Sequence, residues 1–122
     1  MTTIRALGMA LLAPTAGVAT PRGAGQPDPV VTDGDEYHVV LENEHVRVLR
    51  YHDEPGGKTH LHHHPSFVMY ALAPFRRQLT FPDGSKRVRE FRAGEAVGVP
   101  AQSHVGENIG DVPTEGLLIE IK

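Results

Sequence analysis

The feature that most constrains the fold is a regular succession of short β-type runs, each closed by turn-forming residues. From Tyr37 onward these runs recur about every 8–12 residues, a spacing typical of an all-β sandwich or barrel. No window of this region carries the apolar stripe of an amphipathic helix. The predicted strands are residues 37–41, 46–51, 59–64, 67–73, 77–81, 86–91, 96–99, 104–108 and 115–121.

The turns are as informative as the strands. Pro82-Asp83-Gly84-Ser85 separates two predicted strands, and this combination of residues favours a tight reversal of the chain. We therefore predict that residues 77–81 and 86–91 form a hairpin. No internal repeat or second domain is evident in the sequence.

The N-terminal third has a different texture. Residues 1–19 combine Arg5, an apolar run and small residues ending at Ala19, which is the pattern of a secretory signal peptide too short to span a bilayer. The alternative is a disordered tail. Residues 20–34 are rich in proline and glycine and predict a flexible linker, so the folded domain is expected at 35–122. Cleavage of the leader predicts a periplasmic or secreted protein, and retention predicts a cytoplasmic one.

Composition narrows the partners and the chemistry. The net charge of −3 and the isoelectric point near 6.2 leave no basic field for nucleic acid or for stable membrane association. The chain has no cysteine, so disulfides, thiolate ligands and a cysteine nucleophile are excluded and any metal ligand must be nitrogen or oxygen. A domain this small buries little surface, and we expect a homodimer.

Four of the eight histidines lie in the six residues His60-Leu61-His62-His63-His64-Pro65. In an extended strand, alternate side chains share a face, so His60, His62 and His64 point one way and His63 the other. Same-face neighbours are about 7 Å apart, which lets two imidazoles converge on one cation. A further ligand must come from another strand, and His104 is the strongest candidate. This pattern predicts a metal site.

These residues resemble the two motifs of the cupin superfamily. Gly56, five residues, then His62-His63-His64 is similar to the first motif. Gly94, five residues, Pro100, then His104, three residues and Asn108 is similar to the second. The sequence departs from the family pattern in three respects, one of which is that His104 comes one residue early in the second motif. The glutamate of the first motif would fall at Val68 or Met69, and Gln102 replaces the glycine of the second motif.

The resemblance implies a jelly-roll β-sandwich with the metal inside the barrel. It assigns His62, His64 and His104 as ligands, with His60 as a fourth candidate. Without the glutamate, this set resembles the three-histidine cupin dioxygenases, and the charge of a divalent ion would be left uncompensated. The expected metal is Fe(II), with Zn, Mn, Ni or Cu as alternatives.

The resemblance also implies a function. We expect a metal-dependent, dioxygenase-like enzyme that acts on a small polar or anionic metabolite able to chelate the metal. Lyase or isomerase chemistry is an alternative that would use the same metal and ligands. The strand that begins at Phe67 is expected to point Val68, Tyr70 and Leu72 inward, which would place the Tyr70 phenol in a catalytic role beside the pocket. The alternative is a non-catalytic metal- or ligand-binding cupin with a closed or metal-free site.

Overall fold

The computed structural model describes residues 26–122, and these residues form one short helix followed by nine strands. The predicted all-β architecture is confirmed. The elements are α1 (Pro29–Thr32), β1 (Tyr37–Glu42), β2 (Val46–Asp53), β3 (His62–His64), β4 (Phe67–Ala71), β5 (Phe75–Thr80), β6 (Lys86–Phe91), β7 (Ala96–Val99), β8 (Gln102–Asn108) and β9 (Thr114–Ile121).

The strands form two antiparallel sheets. One sheet has the order β1-β2-β9-β4-β7 and the other β3-β8-β5-β6. Most neighbours within a sheet are distant in sequence, which is the connectivity of a jelly roll. Both sheets contribute to the apolar core, which includes Leu49, Met69 and Leu118 from the first sheet and Phe75 and Phe91 from the second.

The predicted hairpin is confirmed. Strands β5 and β6 pair along their whole length, from Phe75 opposite Phe91 to Thr80 opposite Lys86. Gly84 has a φ of 89° in the connecting turn, a conformation that glycine adopts without steric cost. This hairpin forms one edge of the four-stranded sheet and covers one side of the barrel interior.

The predicted inward face of β4 is wrong. Phe67, Met69 and Ala71 are buried, whereas Tyr70 and Leu72 are exposed. The register with β9 decides the phase, because Met69 lies opposite the buried Leu118 and directly opposed residues of an antiparallel pair share a face. A phase error of one residue turns every side chain of a strand to the other face.

The second half of the predicted linker packs against the barrel. Asp28 caps α1 by accepting a hydrogen bond from the Val30 amide, and its carboxylate pairs with both terminal nitrogens of Arg47 at 2.9 and 3.0 Å. Asp33, which follows the helix, is buried. The packed unit therefore begins before Asp35. The predicted leader, residues 1–19, lies outside the described residues. No helix within 26–122 is long and apolar enough to cross a bilayer.

Candidate metal centre and adjoining cavity

The structure brings three of the predicted ligands together. Strand β3 pairs with β8 so that His62 lies directly opposite His104, and His64 shares their face through the alternation of the strand. One ring nitrogen of each of these three histidines lies within 4.8 Å of the others, and all three side chains are buried. Their ring centroids are 4.8 to 5.4 Å apart.

An oxygen acceptor faces the Nδ1 atom of each ring. His64 Nδ1 lies 2.9 Å from Oε2 of Glu120, and His104 Nδ1 lies 2.8 Å from Oε1 of Gln102. His62 Nδ1 has a longer contact of 3.4 Å with Oδ2 of Asp33. An acceptor at this position holds the proton on Nδ1 and leaves the Nε2 lone pair for a metal ion.

The electrostatic environment keeps two of these rings uncharged. Burial, and then repulsion from His64, lowers the pKa of His62 to about 4. Burial, followed by repulsion from His64 and His62, lowers the pKa of His104 to about 2. Both rings are therefore neutral near pH 7, the form that binds a metal. Three clustered imidazole donors suit zinc, iron, nickel and copper alike, so the residues present fit a divalent transition metal.

Two buried carboxylates lie immediately behind the imidazoles. Burial raises the pKa of Glu120, but hydrogen bonds from His64 and Arg47 outweigh it and lower the pKa overall. Burial of Asp33 is likewise outweighed by hydrogen bonds from the His60 amide and Thr32. Both groups are thus ionised near neutral pH. These acids place negative charge behind the imidazoles, while the cluster itself contains no acidic residue.

Glu120 is itself held in place by Arg47. The Arg47 Nε donates to Glu120 Oε1 at 2.9 Å, while its terminal nitrogens bind Asp28 beside α1. A chain of charged hydrogen bonds therefore runs from the N-terminal helix to the His64 ring. Together with the contact from Asp33, it makes the segment before β1 part of the metal site.

A cavity of about 70 Å³ adjoins the cluster. His64 and His104 line it, and aromatic and aliphatic side chains such as Phe75, Phe91 and Leu118 form much of the remaining wall. Its size suits a molecule of a few heavy atoms, since sites for drug-sized ligands are about 300–1,000 Å³. Two of the ligand candidates therefore face space that a small substrate could occupy.

Tyr37 takes the position that sequence reasoning assigned to Tyr70. Its hydroxyl lies 3.4 Å from Nε2 of His62, and the ring lines the cavity. Burial raises the pKa of this phenol, so it carries its proton near neutral pH. Tyr70 lies on the opposite face of its sheet with 38% of its surface exposed. The only local signal for Tyr37 was its place at the start of a predicted strand.

His60 is not brought to the cluster. Its side chain is 80% exposed and its Nδ1 lies 3.0 Å from Oδ1 of Asp33. Strand β3 begins at His62, so the alternation that predicted a shared face does not extend back to His60. The geometry removes His60 from the candidate ligands. His63 points to the other face, with its Nδ1 2.9 Å from the Ser103 hydroxyl.

The two-sheet antiparallel jelly roll and the clustered histidines that face its interior define the class of the protein, which has the fold of the small cupins. No protein-family model matches the sequence, and no curated protein matches it. Solved structures do. The chain is similar to a cupin domain from Bordetella pertussis Tohama I, with 27% identity and a TM-score of 0.65 over 70% of this chain and 91% of that one.

Two further structures extend the comparison. A Klebsiella pneumoniae protein with a double-stranded β-helix domain has 23% identity and a TM-score of 0.55, over 70% of this chain and 76% of that chain. A variant of oxalate decarboxylase from Bacillus subtilis has 34% identity and a TM-score of 0.51, over 62% of this chain but only 21% of that chain. The protein thus has the fold of a small single-domain cupin, and its three clustered histidines could hold a metal.

Proposed function

We propose that the protein is a metal-dependent enzyme that acts on a small anionic metabolite able to chelate the ion. The observation that carries this proposal is the cluster of three buried imidazoles, two of which, His64 and His104, line a small cavity. Catalytic metal sites keep a position open for substrate, whereas structural sites are closed. The cavity beside His64 and His104 supports an open site over the alternative of a closed, non-catalytic one.

The chain's own residues have distinct roles in this proposal. His62, His64 and His104 hold the ion, and Glu120 orients one of these rings from behind. The Tyr37 hydroxyl, protonated near neutral pH, is placed to donate a hydrogen bond beside His62. The apolar cavity wall excludes water from a bound substrate.

Fe(II) is the metal we favour, with Zn, Mn, Ni or Cu as alternatives. The three-histidine set resembles that of the cupin dioxygenases, so oxidative chemistry is the first to assay. When bound, a redox metal supplies electron transfer and a redox-inert one supplies Lewis acidity. The similarity to part of oxalate decarboxylase supports a second candidate, metal-assisted cleavage of a small carboxylate.

The first experiment is elemental analysis of untagged protein purified without chelators. We expect about one transition metal per chain, lost in a His62→Ala/His104→Ala variant. The matched control is His38→Ala/His45→Ala, which removes two histidines that lie outside the cluster. Metal retained by the first variant, or none taken up by the wild type after anaerobic Fe(II) loading, would contradict the proposal.

A second experiment separates the enzyme from a metal-binding module. Azide or a small acid is titrated into protein loaded with Fe(II) or Cu(II) while the visible or EPR spectrum of the metal is followed. An open coordination position predicts a saturable spectral change. A fully loaded protein whose spectrum does not respond would favour a closed, non-catalytic site.

A further inference from the structure

A groove lined by residues such as Phe81, Arg87 and Pro100 adjoins the cavity and shares Leu79 and Arg89 with it. Both spaces are lined by cationic side chains, although the protein as a whole is acidic. Among the residues that line the two spaces there is no aspartate or glutamate, while three arginines take part: Arg77, Arg87 and Arg89. The whole chain has a formal charge of −3. Walls of one sign in a low-dielectric setting attract ligands of the opposite sign, so this site is suited to an anion.

Two of these arginines lie directly opposite each other. Arg77 on β5 pairs in register with Arg89 on β6, and both side chains face the cavity. Like charges at directly opposed positions of a sheet are destabilising. The Arg77 charge is balanced, because its Nη1 donates to Asp53 at 2.7 Å and to the Thr114 hydroxyl at 3.2 Å.

Arg89 has no such balance. Its guanidinium lies 5.5 Å from the centre of the Phe91 ring, and across residues 26–122 no carboxylate oxygen lies within 4.0 Å of it. Its neighbour Glu90 points to the other face and pairs with Arg76. An arginine held over an aromatic ring, half-buried and without a carboxylate partner, is a ready binding group for a carboxylate ligand.

An apolar pair lies beside this arginine, on the side away from the histidines. Along β5 the order is Phe75, then Arg77 opposite Arg89, then Thr80 opposite Val105, which is next to His104. Phe75 and Phe91 stack with their centroids 4.8 Å apart, and both line the same cavity as Arg89 and His104. A ligand in this space therefore meets the Arg89 cation between apolar surface on one side and the candidate metal centre on the other.

We propose that Arg89 is the specificity-determining residue of this site and that it selects small carboxylic acids with a short apolar body. The carboxylate pairs with the guanidinium of Arg89, which lines both the cavity and the groove, and the body packs on Phe75 and Phe91. The cavity volume of about 70 Å³ limits the body to a few carbons. This inference names the substrate class of the enzyme proposed above and rests on that function.

The test compares butyrate with its neutral isostere butyramide, followed by amide chemical shifts in NMR titrations at constant ionic strength. The proteins are the wild type, Arg89→Met, which keeps the length of the side chain but removes its charge, and the control Arg92→Met. Arg92 is exposed and lies outside the cavity, so the control makes the same change in net charge. Each titration is run on metal-free and on zinc-loaded protein.

We expect wild type and Arg92→Met to bind butyrate more tightly than butyramide, by about tenfold to a hundredfold, because a hydrogen bond to a charged group contributes about 1.5–3 kcal/mol. Arg89→Met is expected to lose this preference. Arg89→Gln provides a second variant should Arg89→Met fold poorly. Equal butyrate affinity in wild type and the Arg89 variants, or no saturable shift in the wild type, would overturn the inference.

The titrations with zinc-loaded protein distinguish a failure of this inference from a failure of the proposed function. If the protein binds zinc but its affinity for butyrate does not depend on Arg89, the metal site is supported and the carboxylate subsite is refuted. Butyrate bound through Arg89 by a protein that takes up no metal would support the subsite and refute the metalloenzyme.

Discussion

Asp53 provides the sharpest test of how Arg77, which lines the cavity, is stabilised in its buried position. Its buried carboxylate accepts hydrogen bonds from Arg77 at 2.7 Å, from the Asn108 amide at 3.1 Å and from the Tyr51 hydroxyl. The Asp53→Asn change keeps the shape of the side chain and removes its charge. The Arg77 guanidinium, only 8% exposed, would then be buried without a counter-charge, and an amide N–H group would face these donors.

The expected loss is large for a domain of this size. Removing one partner of a buried ion pair costs about 3–5 kcal/mol, out of a typical total of about 5–15 kcal/mol. At about 4 °C per kcal/mol, the lower figure alone corresponds to a fall in Tm of about 12 °C. We therefore expect Asp53→Asn to unfold at a much lower temperature and urea concentration than the wild type.

Urea unfolding followed by circular dichroism measures this loss as a shift of the midpoint at constant slope. Asp111→Asn is the matched control, since Asp111 is exposed and the change in net charge is the same. The double variant Asp53→Asn/Arg77→Met removes both charges and should be more stable than the sum of the two single losses predicts. A cost for Asp53→Asn below about 1 kcal/mol would refute the reasoning.

The same carboxylate predicts a dependence of stability on acid. Burial raises the pKa of Asp53, but the Arg77 charge and the hydrogen bonds from Tyr51 and Arg77 outweigh it, so the pKa in the folded state is below its ordinary value of 3.8. A lowered folded pKa means that this stabilisation is present above pH 3.8 and is lost as the pH falls through the folded pKa. The free energy of unfolding of Asp53→Asn should lack this acid-sensitive component, which parallel urea titrations across the acid range can show.

Further predictions concern the metal centre and the strands around it. Glu120→Gln removes the charge behind one imidazole and should weaken zinc affinity about tenfold to a hundredfold in competition with a chelating dye; unchanged affinity would show that this acid does not support the ligand. His60→Ala should leave zinc affinity unchanged, because the side chain is exposed and turned away from the cluster, and a marked loss would restore His60 as a ligand. Gly106→Ala should cost about 1–3 kcal/mol in thermal unfolding, since its Cβ would meet the buried guanidinium of Arg77. Gly98→Ala meets open space and should stay within about 0.5 kcal/mol, and equal costs for these two glycine changes would contradict the packing argument.

Much of the fold was predictable because local sequence patterns indicate where the strands and turns lie. Alternation of apolar and polar residues marks a strand, and turn chemistry such as Asp83-Gly84 marks its end. The same alternation, with the motif spacing, identified His62, His64 and His104. Both signals act over a few residues, so they survive without knowledge of what packs against them.

The predictions that proved incorrect have a common cause. The phase of β4 depends on its register with β9, which lies about 50 residues further along the chain. That pairing turned Tyr70 outward. Tyr37 reaches His62 from a strand in the other sheet, and no local pattern announces such a contact. His60 shares the sequence pattern of the ligands but precedes the strand that aligns them.

The sequence by itself therefore determined which segments become strands, where they turn, and which histidines can share a face, because these depend on backbone propensity and on a period of two residues. Only the tertiary structure decided which side chains lie next to those histidines. Asp33 and Glu120 come from opposite ends of the described chain, and Arg89 from the hairpin between them. Their charges act on the site through space, at distances that only the packing of the two sheets sets.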